Sequence, residues 1–327
     1  MRIDSEMNMR PTEPVLPVSD IQKLLVGMSR TGFQGRKLGE SFQVWQEMLA
    51  DPDTFIMLGL SGAMIPAGMQ EILIALIENR FVDLIVSTGA NIFHDVCEHC
   101  GVRHYLGHHH VDDQDLLSNG IDRIYDVFAF EKQFREVDNV IASFVKAKGG
   151  TKGPSSDFIR NLGKWLIDTY PDGRSLTAAC VTHNIPILVP ALADSSIGIG
   201  LVIARRDGVL VEVDQIADAD LITQMVEGAA KTGVVYIGGG VPKNFIQQTQ
   251  VIASIHCADC GGHDYAIQYT TDSPQFGGLS GCTFEEAISW GKESVQCRHV
   301  QCFCDATIAL PLVVSALMSS GITRRTK

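Results

Sequence analysis

No stretch of the 327-residue chain approaches the ~20 consecutive apolar residues that a membrane crossing requires. The most apolar run, Ile308 to Met318, is too short and holds Pro311 and Ser315. The N-terminal segment MRIDSEMNMRPTEP lacks the apolar centre of a signal peptide, so a cytoplasmic protein without membrane association is expected. Positive charge is also scarce: 26 Lys and Arg stand against 38 Asp and Glu, a net charge of −12. Such a chain has no broad basic face for nucleic acid, and its field steers cations inward, small polyamines among them. Neither a repeat of fixed period nor a low-complexity tract is present. The nine cysteines are odd in number and irregularly spaced, and a chain of this size buries a core without disulfide staples. With 45% hydrophobic residues, disorder over most of the chain is excluded.

What is present is a repeating unit of apolar run, small-residue turn and helical stretch. Residues 1–17, with three prolines and no apolar period, read as an N-terminal arm, and 18–327 as a single large domain. Asp20–Met28 and Leu38–Leu49 read as helices. The apolar runs then follow: Phe55–Leu60 before Ser61-Gly62, Val82–Val86 before Ser87-Thr88-Gly89-Ala90, and Ile185–Val189 before Pro190-Ala191-Leu192-Ala193-Asp194. Val234–Ile237 precedes Gly238-Gly239-Gly240, Ala266–Tyr269 precedes Thr270-Thr271-Asp272, and Val300–Phe303 leads to Asp305-Ala306. Continuous apolar runs of this length are the mark of strands buried on both faces, so the expected fold is α/β, a Rossmann-like parallel sheet flanked by helices. Ligands of such sheets bind beyond the carboxyl ends of the strands, which makes the small-residue turns the candidate site. The stretch Lys146–Ser156, KAKGGTKGPSS, reads as a linker or mobile loop.

Gly238-Gly239-Gly240 would let a backbone approach a phosphate at a helix N-terminus, although the strict G-x-G-x-x-G pattern is absent. Two Cys-x-x-Cys pairs, Cys97/Cys100 and Cys257/Cys260, have His99, His256 and His263 nearby. They fall in different α/β units, so reduced thiols are expected and no metal. His108-His109-His110 reads as a solvated turn. The segment from Thr283 to Lys292 reads as a short helix with Thr283 and Glu286 as a capping box and Gly291 as its stop. The residues alone leave two readings of Lys292, a surface lysine after a helix or a desolvated amine nucleophile able to form an imine.

Seven motifs in order decide between them. Thr31-Gly32-Phe33-Gln34, Ser87-Thr88-Gly89-Ala90, Asn119-Gly120-Ile121-Asp122-Arg123-Ile124 and Pro190-Ala191-Leu192-Ala193-Asp194 are followed by Gly238-Gly239-Gly240-Val241, Glu286-Ala287-Ile288-Ser289-Trp290-Gly291-Lys292 and Asp305-Ala306. On these motifs the chain resembles the deoxyhypusine synthase family, and its bacterial deoxyhypusine synthase-like branch more closely. The resemblance implies an NAD-dependent homotetramer with NAD at dimer interfaces. It implies that the lysine at the Lys292 position captures the aminobutyl group of spermidine as an imine, and that an acceptor amine then displaces the lysine. Carried over residue by residue, the cofactor positions are Ser61, Gly62, Thr88, Gly89, Ala90, Asp194, Gly239, Thr271, Asp305 and Ala306. Glu286 and Trp290 belong to the amine pocket, where a carboxylate and an indole face favour an ammonium, and Gly277 falls in the same pocket.

The departures lie in that pocket. Phe93, Ile199 and Leu279 stand where the family has acids, Asn244 where it has a histidine, and His94 at a position commonly acidic in eukaryotic members. Each missing carboxylate removes a charge-assisted partner worth roughly 1.5–3 kcal/mol. The expectation is therefore an NAD-dependent transferase of alkyl groups acting on small polyamines in the manner of a homospermidine synthase. A deoxyhypusine synthase modifying a protein lysine is the first alternative, and a non-catalytic NAD-binding tetramer the second.

Overall fold

The computed structural model describes residues 10–256 and 261–324. All six expected strands form and join one parallel sheet: β1 (Thr54–Leu60), β2 (Leu84–Ser87), β3 (Ile187–Leu188), β4 (Lys231–Ile237), β5 (His263–Thr270) and β6 (Glu293–Phe303). Their spatial order is β6-β5-β4-β1-β2-β3. The chain builds outward from β1 through β2 to β3, then returns to the far side of β1 and builds outward again. Between β1 and β4 the direction of winding reverses, and there the strand ends part into a crevice.

The middle strands are buried along nearly their whole length because helices cover both faces. One face packs Ile56, Leu58 and Leu60 against Trp45, Phe42 and Leu310, the main core. The other packs Met57, Leu84, Val234 and Tyr236 with Ile222, Ile246 and Phe284. Burying a side chain of this size contributes about 1.5–3 kcal/mol, so the two clusters dominate the stability of the sheet. Gly59 is required by packing, since a Cβ there would sit 2.8 Å from the Tyr236 ring.

Three expectations need correction. The edge strand β3 is Ile187–Leu188 rather than Ile185–Val189, because Pro186 and Pro190 bracket it and neither can donate to a ladder. Strand β6 begins at Glu293, well before Val300. It is an edge strand with a register shift between its His263 and Tyr265 pairings, and exposed residues such as Val295 hid it from an apolar reading. Lys146–Ser156 is not a linker. Gly149 and Gly150 turn the chain at positive φ, Thr151–Gly153 pairs in parallel with Val211–Val213, and a helix starts at Ser155. The described part of the N-terminal arm is exposed but tied down, with the Glu13 amide and carboxylate both bonded to Arg30. Among the described residues no helix is long and apolar enough to cross a membrane.

Candidate active site

Every residue expected to hold the cofactor lies at the carboxyl edge of the sheet or within the first turn beyond it. Ser61 and Gly62 follow β1, and Gly62 takes φ +75°. The Ser61 hydroxyl donates to the Gly239 carbonyl at 2.6 Å and so joins the two lips of the crevice. Gly238 and Gly240 both have positive φ. Gly239 is required for a different reason: a Cβ there would stand 2.4 Å from Ser280 Cα. The Ser280 hydroxyl in turn accepts from the Gly240 amide at 3.0 Å.

Thr88 caps the helix Gly89–His99, and Asn91 in its first turn accepts from the Met64 amide at 3.0 Å, so the turns after β1 and β2 are bound to each other. Gly89 lets that helix start against Ser195; a Cβ would meet the Ser195 hydroxyl at 2.3 Å. Asp194, exposed, lies just before the helix Ser196–Arg206. Asp305 caps the helix Ala306–Ser319 through the Thr307 amide and hydroxyl, both at 2.8 Å. Thr271 is exposed directly after β5. Close-approach glycines, a reversal in strand order and helix N-termini on both lips suit a dinucleotide with its pyrophosphate in the crevice. A cavity of about 810 Å³ opens instead at the amino-terminal edge, among Phe55, Asp83 and Pro186, and holds none of these residues.

Lys292 stands beside the second half of the sheet. The helix Phe284–Ile288 starts at Thr283, whose hydroxyl accepts from the Glu286 amide at 3.1 Å. It stops at Gly291, at φ +68°, where the Lys292 amide bonds back to the Ala287 carbonyl at 3.1 Å. The Lys292 carbonyl accepts from the His263 amide, at the start of β5. The backbone of this lysine is thus fixed on both sides by hydrogen bonds. Its Nζ donates to Asn244 Oδ1 at 2.9 Å and lies 5.7 Å from the Trp290 ring centre. The histidine position of the family pattern therefore holds an amide that accepts from the lysine without carrying charge. Trp290 is exposed, as is Glu286 one helical turn before it.

A second lysine escaped the reading of the sequence. Lys243 is fully buried, and its Nζ donates to Gln268 Oε1 at 2.9 Å and to the Cys282 carbonyl at 2.6 Å. Burial pushes Lys243 down to about 8, with the Lys292 charge acting in the same direction. Gln268 also donates to the carbonyls of Gly238 and Ser280, at 2.7 and 2.8 Å. One buried pair thus ties the glycine turn to the loop 277–282 that carries Gly277 and Leu279. Glu293, next to Lys292, is buried and pushed up to about 8 by desolvation, against a 3.0 Å bond from Gln247. The signal available in the sequence was a lysine within the first turn of a helix that follows a glycine turn, a pattern that surface lysines share.

The remaining residues expected in the amine pocket lie on the other side of the reversal point. Phe93 is 2% exposed in the main core, and Ile199 is exposed on Ser196–Arg206. His94 Nδ1 lies 3.0 Å from His104 Nε2, and His104 Nδ1 lies 2.7 Å from Glu98. Burial, with the charge of His104, pulls His94 down to about 4. Within one chain these three residues are on helices that follow β2 and β3, whereas Lys292, Asn244 and Leu279 belong to the half built on β4, β5 and β6. Cys97 is buried and Cys100 partly so, with desolvation raising both thiols. Cys257 and Cys260 lie outside the described residues, among which no three metal-ligating side chains converge. His108, His109 and His110 form an exposed turn, with His109 stacked on Tyr125.

The deoxyhypusine synthase family model matches residues 23–317. A Methanosarcina mazei protein named "Probable deoxyhypusine synthase 2" is 55% identical over 95% of this chain and 91% of its own length. A second protein of that organism, named "Probable deoxyhypusine synthase 1", is 35% identical over 93% of this chain and 92% of its own length. A crystal structure ascribed to deoxyhypusine synthase from Entamoeba histolytica superposes with a TM-score of 0.65 at 19% identity, over 94% of this chain and 95% of that one, and shares the fold. The chain belongs to the deoxyhypusine synthase family, transferases of aminobutyl groups.

Proposed function

We propose that the protein is an NAD-dependent deoxyhypusine synthase that moves the 4-aminobutyl group of spermidine to a lysine of the hypusine-containing translation factor. The observation that carries this reading is Lys292 itself, set on a rigid backbone beside an exposed indole and accepted by a neutral amide. An amine held by an uncharged oxygen keeps its lone pair available once its proton leaves, and can attack a carbon to form an imine. Trp290 and Glu286 receive the ammonium end of the amine. Ser61, Gly62, Thr88, Gly89, Ala90, Asp194, Gly239, Thr271, Asp305 and Ala306 hold NAD across the crevice, and NAD supplies the hydride acceptor and donor that the transfer needs. His94 and Ile199 complete the amine site from a second copy in a homotetramer, whereas Phe93, packed in the main core, has no surface to offer it.

This reading displaces the homospermidine synthase-like one, because the relatives that align over nearly the whole chain are named for deoxyhypusine synthesis. One observation keeps the polyamine acceptor in view. Asn244, which meets Lys292 directly, is a departure from the family pattern. Purified protein incubated with NAD and labelled spermidine, with the translation factor or with putrescine as acceptor, separates the two. Label on the factor alone is the expected result. Label in homospermidine and none on the factor would reverse the order of the readings.

A further inference from the structure

Strand β6 ends in Cys302-Phe303 and Cys304 follows at once, with the two sulfurs facing each other at 3.3 Å. Among the described residues no other two cysteine sulfurs come within hydrogen-bonding distance. Cys302 is fully buried and Cys304 partly exposed. The hydrogen bond from Cys302 holds the Cys304 thiol below its ordinary range, while the same contact and burial raise Cys302. The pair sits at a joint of the fold. The Cys302 thiol also reaches the Gln34 carbonyl at 3.8 Å, the Phe303 amide donates to Gln34 Oε1 at 2.7 Å, and Asp305 follows at once as the cap of the last helix.

We infer that Cys302 and Cys304 are a dithiol modification site that small disulfides oxidise to an intramolecular disulfide, and that this oxidation weakens cofactor binding at the adjoining carboxyl edge. The Cys304 thiolate attacks one sulfur of the small disulfide, forming a mixed disulfide and releasing one small thiolate. Cys302 then loses its proton and attacks the Cys304 sulfur, releasing the second small thiol. Two protein thiols are oxidised to one disulfide, and one small disulfide is reduced to two thiols. Closing the bond draws the sulfurs from 3.3 Å to about 2.05 Å and removes the single Cys302 hydrogen that the Cys304 sulfur and the Gln34 carbonyl share. Both changes pull on the residue pair before Asp305 and Ala306. The effect on the cofactor rests on the placement of NAD proposed above; the thiol chemistry does not.

The test treats the whole native protein with oxidised glutathione, blocks free thiols by alkylation and maps the tryptic fragment His299–Arg324, which holds these two cysteines and no others. The expected fragment is unalkylated and lighter by two hydrogen atoms, and dithiothreitol restores it. Cys302→Ser should stop at glutathione bound to Cys304, and Cys304→Ser should leave Cys302 as a free thiol. Recovery of both cysteines alkylated in the wild type, or glutathione on Cys302 in Cys304→Ser, would overturn the site. NAD titration of the oxidised protein should show affinity lower by up to about tenfold, the worth of one lost hydrogen bond. An unchanged dissociation constant would overturn the coupling. Because fragment mapping needs no turnover, a failure of aminobutyl transfer in the reduced protein counts against the proposed function alone.

Discussion

Lys243 and Lys292 show how differently one residue type is held under different surroundings. Lys292 meets a neutral acceptor, Asn244, and Lys243 is sealed beneath the loop 277–282 with two oxygen acceptors. Replacing Lys243 with Met keeps the stem and removes the donor, leaving Gln268 Oε1 with only the Gln301 bond and the Cys282 carbonyl with only a longer one. Such a loss costs about 1–3 kcal/mol. Urea unfolding of Lys243→Met should show a lower midpoint at unchanged slope. An unchanged midpoint would mean that water replaces the ammonium and that the lysine does not hold the loop. Asp194 tests the other half of the crevice, beyond β3: Asp194→Ala should weaken NAD by about 1–3 kcal/mol in a fluorescence titration if the carboxylate accepts ribose hydroxyls.

At the scale of elements, the glycine turn after β4 fixes the shape of the crevice. Gly239→Ala would put a methyl group against the Ser280 backbone, so the loop 277–282 must move and its contacts with Gly240 and Gln268 must break. Cofactor affinity should fall by at least about tenfold, equivalent to 1.4 kcal/mol. Retained affinity would show that the turn does not line the cofactor site. The small-residue turns, the presence of six strands and the Thr283 cap were legible in the sequence because each depends on local chemistry: apolar runs, glycine and a hydroxyl at a helix start. The early start of β6 was not, because an edge strand with a register shift carries exposed side chains and no period. The pairing of Thr151–Gly153 was hidden for a similar reason, since two short strands meet across a long stretch of chain and Gly149-Gly150 alone resembles a loop. The Lys243–Gln268 bond joins a helix to a strand, and no spacing in the sequence announces such a contact.

On the scale of the whole molecule, buried titrating groups set the dependence of stability on pH. Desolvation raises Glu293 from its ordinary carboxylate value to about 8, so the fold keeps a proton that the unfolded chain releases near 4.5. Between those values the folded chain binds more protons, and stability falls as pH rises. Lys243 works in the other direction and at higher pH, since its value of about 8 lies below the ordinary lysine value. Buried His94 and His263, pulled down to about 4 and about 3, add stability as pH rises towards 6.5, so the Glu293 effect is read as a difference: the stability of the wild type relative to Glu293→Gln in thermal unfolding should fall from pH 5 to 8. Parallel curves for wild type and variant would show that Glu293 is ionised in the fold. The strand order places Lys292 and Asn244 on one side of the reversal point and Ile199 and His94 on the other. The family assignment rests on the length of the match, and the assignment of roles rests on which atoms Lys292 meets.

Covalent trapping tests that assignment most directly. The wild type, Lys292→Ala and Lys292→Arg proteins are each incubated with NAD and labelled spermidine, reduced with borohydride and mapped by peptide. Arginine keeps the positive charge but stays protonated and cannot attack carbon. The account predicts label on Lys292 in the wild type, none on either variant, and NAD binding retained in all three. Label on another residue of the wild type, or transfer at the wild-type rate in Lys292→Arg, would contradict it.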